Sequence, residues 1–339
     1  MLDLNMRPLF VSAYLFFAAL APGQTAQPTG QTTAPNAVKL TKYILGVADL
    51  DKSYAFYHAL GLDLQNNAAT LTAKPNPLND ALRSLVDVPP GTKFRNMMLK
   101  IPGAEFPLEV TEFTGMDVHA AKPRIQDPGA SLLVLDVDDV AAALAAAKKT
   151  GGEVVTAGGS PVKRASGPGR VVTLKDPDGY YVELAQTTAT ASVAPSVPGK
   201  VIGAAFGSMV VQSAEKAAAF YRDHFGLAVK TNAWTPNFDA NLGTPGAQVQ
   251  TAEVTVPGTA LSWRFMEFKD ADRKPYTPRI PDPGAPAIGL QVRDMDAAIA
   301  AIKAAGGASV TQGGSVKLGN GKVGFVRDPS GLLVELAQN

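Results

Sequence analysis

A chain of 339 residues, 46% hydrophobic and 18% charged, holds enough apolar material for about two domains with cores of their own and lies far from the composition of disordered chains. Its 31 Lys and Arg balance 30 Asp and Glu, a formal charge of +1 with no long basic run, so nucleic acid is not an expected partner. Zero cysteines exclude disulfides, thiolate zinc sites, iron–sulfur centres and a cysteine nucleophile, and only three histidines (His58, His119 and His224) remain for imidazole chemistry.

Arg7 precedes an uncharged apolar run from Pro8 to Ala21, too short to cross a bilayer and of the length of a secretory signal. A small-residue site ending at Gly23 gives an expected signal peptide over 1–23, with Met6 a cleaner start than Met1. The alternatives are an uncleaved anchor or a buried helix; no cysteine follows the run, which excludes a lipid-anchored precursor. The mature chain is therefore expected to be exported, periplasmic or secreted, without stable membrane insertion. Residues 24–36, rich in Gln, Thr, Pro and Ala, read as a disordered spacer.

From there the pattern predicts a strand over 39–47, then a helix capped by Asp49, running to Ala59 and ended by Gly61. After a stretch rich in Pro, Gly and Asn come two strands, Asn96 to Ile101 and Pro107 to Phe113, turned by Pro102-Gly103. The order then repeats: a strand over Leu132 to Val137, an Ala-rich helix from Asp139 to Thr150, and strands over Gly169 to Leu174 and Tyr181 to Ala185. Residues 187–199, small and rich in Thr, Ser and Pro, read as a linker. The second half follows the same plan, with strands over Ala204 to Val211, Ala252 to Val256 and Leu261 to Phe268, and a helix through His224. It closes with a strand over Ala287 to Val292, a helix over Met295 to Ala305, and strands over Val323 to Val326 and Leu333 to Ala337.

The two halves are copies. Phe56-Tyr57, Pro123-Arg124-Ile125-Gln126-Asp127-Pro128-Gly129-Ala130 and Asp176-Pro177-Asp178-Gly179 return as Phe220-Tyr221, Pro278-Arg279-Ile280-Pro281-Asp282-Pro283-Gly284-Ala285 and Asp328-Pro329-Ser330-Gly331, at offsets of 164, 155 and 152 residues. One domain is expected over 37–186 and a second over 200–339, each of two β-α-β-β-β modules.

The opening Val47-Ala48-Asp49-Leu50 to Phe56-Tyr57 and Leu60-Gly61-Leu62, with the closing Asp176-Pro177-Asp178-Gly179 to Glu183-Leu184, resembles the vicinal oxygen chelate superfamily of glyoxalases, bleomycin- and fosfomycin-resistance proteins, epimerases and extradiol dioxygenases. The resemblance covers nearly all of 38–339. It implies an α+β fold of four modules in tandem pairs, each pair forming a cup-shaped mixed sheet with helices outside and a ligand site inside.

Metal-dependent members of that superfamily carry four ligands, usually His, Gln or Glu, on four cup strands. Alignment to them puts Lys42, Glu109, Leu132 and Glu183 there in the first copy, and Phe206, Arg264, Ala287 and Glu335 in the second. None is His, and the donors needed for a transition metal are missing from both sets. The cups are thus expected to work without a cofactor, a divalent metal being left open. If Lys42, Glu109 and Glu183 converge, an ammonium takes the place of the metal between two carboxylates, and the cluster is either a proton-transfer site or a structural ion pair.

Other candidates have plainer readings beside the functional ones. Arg95, if it faces inward, binds an anionic ligand; Tyr181 and Tyr180, with Trp234, Trp263, Phe238 and Phe265, line an apolar pocket or fill the core. Arg264 and Glu335 are candidate ligand contacts of the second copy. Arg124 and Arg279 suit carboxylate or phosphate recognition, or a loop staple to Asp127 and Asp282. Gly158-Gly159-Ser160 and Gly313-Gly314-Ser315 match no nucleotide fingerprint and read as turns leading to Lys163 and Lys317. The expected function is binding of a small organic molecule in a metal-free cup. The alternative is an isomerase, lyase or glyoxalase-type enzyme with a Glu general base and Lys42 stabilising an enolate; a second alternative is an interaction module with filled cups.

Overall fold

The computed structural model describes residues 36–65, 74–120, 122–165, 167–187, 197–236, 239–257 and 262–339. The expected signal, all but the last residue of the spacer, and the centre of the linker lie outside them, as does Phe238.

Four modules follow one another. The first holds β1 (Ala37–Val47), α1 (Leu50–Ala59), β2 (Asp63–Leu64), β3 (Asn76–Pro77), α2 (Asp80–Val86), β4 (Lys93–Lys100) and β5 (Leu108–Thr114). The second has β6 (Ser131–Val137), α3 (Val140–Lys149), β7 (Glu153–Val154), β8 (Val162–Lys163), β9 (Arg170–Lys175) and β10 (Tyr181–Gln186). The third has β11 (Val201–Val210), α4 (Ala214–Phe225), β12 (Ala228–Thr231), α5 (Asp239–Leu242), β13 (Gln248–Thr255) and β14 (Ser262–Lys269). The fourth has β15 (Pro286–Val292), α6 (Met295–Ala304), β16 (Ala308–Ser309), β17 (Val316–Leu318), β18 (Gly321–Arg327) and β19 (Leu333–Gln338).

Each long helix starts where a side chain accepts from the first free amides: Asp49 from Lys52, Asp139 from Ala141 and Ala142, Ser213 from Lys216, Asp294 from Ala297. Gly226 ends α4 in the left-handed conformation at φ 71°. Helix α2 stands in the stretch whose Pro, Gly and Asn content predicted no element. Asn79 caps it by accepting from Leu82, and only Leu85 of its residues is buried. Composition hid a short helix whose apolar side chains serve a cavity rather than the main core.

The strands form two sheets that exchange halves of the copies. One sheet runs β16-β18-β19-β15-β1-β5-β4-β2, with β17 on β18 and β3 on β4. The other runs β12-β13-β14-β11-β6-β10-β9-β7, with β8 on β9. The first module therefore shares a sheet with the fourth, and the second with the third. Both joints are antiparallel, β1 on β15 and β11 on β6, each with register shifts that bend the long first strand of its module.

Alternation along the strands separates three apolar clusters. The largest joins the convex faces of both sheets to the helices and includes Tyr43, Leu45, Phe56, Tyr57, Leu135, Tyr221, Trp263, Phe265 and Leu290. Each such side chain withdrawn from water contributes roughly 1.5–3 kcal/mol before its ordering cost. At its centre the Tyr43 ring lies on Gly207, where a Cβ would come within 2.6 Å of the ring. The smaller clusters line the concave faces, one around Leu132, Tyr181 and Phe268, the other around Ile44, Phe113 and Phe325.

The repeated motifs tie the sheets together. Tyr57 of α1 donates to the buried Asp176 at 2.8 Å, and Tyr221 of α4 to Asp328 at 3.0 Å. Arg124 grips the Asp127 carboxylate with Nε at 3.1 Å and Nη2 at 2.7 Å, and Arg279 grips Asp282 at 3.1 and 2.6 Å. Both carboxylates also accept backbone amides from the other copy, Lys274 onto Asp127 and His119 onto Asp282. These arginines staple the crossover loops.

Candidate functional site

The terminal cup, built by the first and fourth modules, encloses a cavity of about 240 Å³. Its walls are Ile44, Phe94, Phe113, Ile280, Leu318, Val323 and Phe325, with Leu78, Leu82, Leu85 and Val86 at and just before α2. One end is polar: Lys42, Asn96, Glu109, Thr111 and Glu335. The end of α2 is stitched to the other copy, since Thr311 Oγ1 donates to the Leu85 carbonyl at 2.7 Å and Gln312 Nε2 to Asp87 Oδ1 at 2.8 Å.

Lys42 Nζ lies 2.7 Å from Glu109 Oε2 and 2.8 Å from Glu335 Oε2. Asn96 Nδ2 donates to Glu109 Oε1 at 2.7 Å. The lysine reaches Glu335 by crossing Gly289, which pairs with Lys42 on one side and Glu335 on the other. A Cβ on Gly289 would stand 2.8 Å from Lys42 Cγ, so the glycine opens the path. Burial alone would lower the Lys42 pKa, but Glu335 and Glu109 outweigh it and hold the ammonium above the usual lysine range. Glu335 is raised above the ordinary carboxylate range by burial, against the pull of Lys42 and with the push of Glu109.

The middle cup, built by the second and third modules, is nearly filled, with a cavity of about 80 Å³ beside Arg164, Glu183, Asn241, Thr251 and Arg264. Asn241 of α5 stands where Leu85 of α2 stands in the terminal cup: Thr156 Oγ1 donates to its carbonyl at 3.1 Å, as Thr311 does to that of Leu85. Its Nδ2 donates to Glu183 Oε2 at 2.6 Å, and its Oδ1 accepts from Thr173 at 3.0 Å. Val134 occupies the place of Gly289, between Phe206 and Glu183 in the register. Glu183 is raised by burial, with Asn241, Arg164 and Arg264 opposing, and Arg264 is lowered by its own burial.

Several expectations are corrected. Glu183 does not join Lys42 and Glu109, because β1 takes β15 as its neighbour and so brings Glu335 from the end of the chain; Glu183 lies in the other cup with Arg264. Arg95 does not line either cup cavity: it is one residue out of phase with Asn96, lies on the helix side, and is held by Glu112 of β5 and Asp51 of α1. Tyr181 packs in the apolar cluster of the middle cup, its hydroxyl donating to the Pro123 carbonyl at 3.3 Å under the Lys175 ammonium. Trp263 and Phe265 belong to the central core, and Lys269 covers the Trp234 ring. No histidine lies on a cup strand; His58, His119 and His224 are exposed, as are Lys163 and Lys317. Sequence reasoning missed Gly289 and α2, although Asn79 ahead of Leu82, Leu85 and Val86 is a helix signal and a glycine inside a buried strand marks a close approach.

A divalent metal does not fit either donor set. In the terminal cup the ammonium already bridges the two carboxylates, and with Ala287 on the fourth strand no imidazole or further carboxylate completes a shell. The middle cup offers Glu183 alone, facing guanidinium groups. Among the described residues no group of three or more His, Asp or Glu is placed to hold a metal ion.

Paired modules bent into cups with helices outside define the fold of the vicinal oxygen chelate proteins. The family model of the glyoxalase/bleomycin resistance protein/dioxygenase superfamily matches residues 39–184 and 204–336, and the chain belongs to that superfamily. It is similar in fold to glyoxalase I from Zea mays (TM-score 0.57, 19% identity, 88% of this chain and 92% of that one). A putative dioxygenase from Bacillus subtilis subsp. subtilis str. 168 is also similar in fold (TM-score 0.53, 13% identity, 90% and 86% covered). A probable lactoylglutathione lyase of Vibrio parahaemolyticus is 46% identical over 52 residues, 15% of this chain, and the match spans only 38% of that relative.

Proposed function

We propose that the terminal cup binds a small, largely apolar organic molecule and that Lys42, Glu109 and Glu335 fix its polar end without a metal. The cavity carries this reading: about 240 Å³ enclosed by aliphatic and aromatic side chains, with one polar end where three charged groups meet. The size is below the roughly 300–1,000 Å³ of drug-sized pockets, which points to a compact ligand. The middle cup, plugged by Asn241, acts as the structural partner. Calorimetric titration with indole and 2-naphthol tests this: one site per chain is expected, abolished by Leu82→Trp, which fills the cavity, and retained in Arg264→Ala. Binding indifferent to Leu82→Trp overturns the reading.

A second reading makes the same cup catalytic, favoured by a carboxylate of raised pKa beside a permanent ammonium. Glu335 would take a proton from a carbon next to a carbonyl, and Lys42 would stabilise the enolate oxygen. Deuterium exchange into small ketones, followed by NMR, tests it; exchange no faster than with Lys42→Met sinks it. The uncharged apolar run behind Arg7 supports export, which N-terminal sequencing of the protein expressed in a bacterial host checks: a chain starting near Gln24 is expected, and an intact leader on a cytoplasmic protein overturns it.

A further inference from the structure

The polar end of the terminal cup is asymmetric in a way that selects the charge of an occupant. Glu109 has both oxygens engaged, Oε1 by Asn96 and Oε2 by Lys42. Glu335 uses Oε2 for Lys42, and among the described residues nothing donates to its Oε1. Among the described residues the ionisable side chains lining this cavity, Lys42, Glu109 and Glu335, sum to one negative charge, against walls that are otherwise apolar save for Asn96 and Thr111. Lys42 is consumed by the two carboxylates, so an incoming carboxylate or phosphate meets a net negative site in a low-dielectric pocket. An ammonium donating to Glu335 Oε1 balances the cluster at two charges of each sign and satisfies the remaining acceptor.

We infer that the ligand of this cup is a hydrophobic amine, an aryl- or alkylamine bound as its ammonium to Glu335 with its apolar body among Leu82, Leu85, Phe94, Phe113 and Phe325. The inference rests on the reading of the terminal cup as a ligand site. It goes further by fixing the class of head group, and it makes Glu335, rather than Lys42, the residue that sets specificity.

The test is a homologous set of phenylalkylamines, phenylalkanols and phenylalkanoates titrated calorimetrically into the full-length protein at neutral pH, with Glu335→Gln and Leu82→Trp checked for folding by circular dichroism. The amines are expected to bind at least about tenfold more tightly than the matching alcohols, and the alkanoates not at all. Glu335→Gln should erase the amine preference, bringing the amine affinities down to those of the matching alcohols in the same variant. Alkanoates that match the amines, amines no better than alcohols, or a preference that survives in Glu335→Gln would each overturn the inference while leaving the ligand site intact. If no member binds, or Leu82→Trp changes nothing, the reading of the cup fails and the inference with it. If Glu335→Gln does not fold, the pH dependence of the wild-type affinities decides: amine binding must weaken as pH rises through the free amine's own pKa, and alcohol binding must not.

Discussion

Lys42 on the first strand and Glu335 on the last lie 2.8 Å apart, with Gly289 between them in the register. The same row in the middle cup reads Phe206, Val134, Glu183: the crossing lysine is replaced by phenylalanine and the glycine beneath it by valine.

Gly289→Val copies the blocked row into the terminal cup. A Cβ there would collide with Thr41 Oγ1 and stand 2.8 Å from Lys42 Cγ, so both side chains must shift and the lysine is expected to leave Glu335. Overpacking and the broken pair are expected to cost about 1–3 kcal/mol in urea unfolding. Losing the cation raises the Glu335 pKa further, read by carboxyl NMR titration. A titration identical to wild type refutes the crossing.

Stability should fall as pH rises from about 3.8 toward about 7. Burial, aided by Asp178, pushes Asp176 up to about 7 from 3.8, and burial pushes Asp328 up to about 6. A carboxyl whose pKa is higher folded than unfolded binds protons more tightly in the folded state. Its contribution is complete below about 3.8 and is lost between there and about 7. Urea unfolding of Asp176→Asn between those limits is expected to show a flatter pH profile than wild type, and an unchanged slope would refute the assignment.

Asn241→Leu removes the donor from Glu183 and leaves a buried carboxylate with fewer partners. A loss of about 1–3 kcal/mol is expected, with indole affinity at the terminal cup unchanged. Weakened indole binding would show that the middle cup takes part.

Arg95→Ala separates the helix-side reading of that residue from the ligand-side one. Glu112 loses its cation, and α1 loses its tie to β4 through Asp51. The expected outcome is a stability loss of about 2 kcal/mol and ligand affinities equal to wild type. A variant of normal stability with altered affinity would return Arg95 to the site.

The modular plan was legible in the sequence because it rests on local signals. Asp49, Asp139 and Asp294 each precede an apolar periodicity and cap a helix, and the Asp-Pro-Asp-Gly and Asp-Pro-Ser-Gly turns recur in order. Two members of the three-residue charged cluster were legible too: Lys42 and Glu109 do meet. Their third partner was not, since Glu183 and Glu335 are the second residues of identical Val-Glu-Leu-Ala-Gln segments and only the pairing of β1 with β15 chooses between them. Pairing across copies is a long-range choice that no window of sequence contains. Arg95 failed for a related reason, because alternation fixes two faces without saying which one is concave.

The exchange of halves also orders the chain's assembly in time. A nascent chain that has left the ribosome only as far as the linker carries β1 and β6 as bare edges, since the strands that cover them, β15 and β11, are still to be made. The middle cup is complete once β14 emerges, while the terminal cup waits for β19. A chain stopped before its last strand therefore has a finished middle cup and an incomplete terminal one, and a copy expressed alone should pair edge to edge with a second copy of itself.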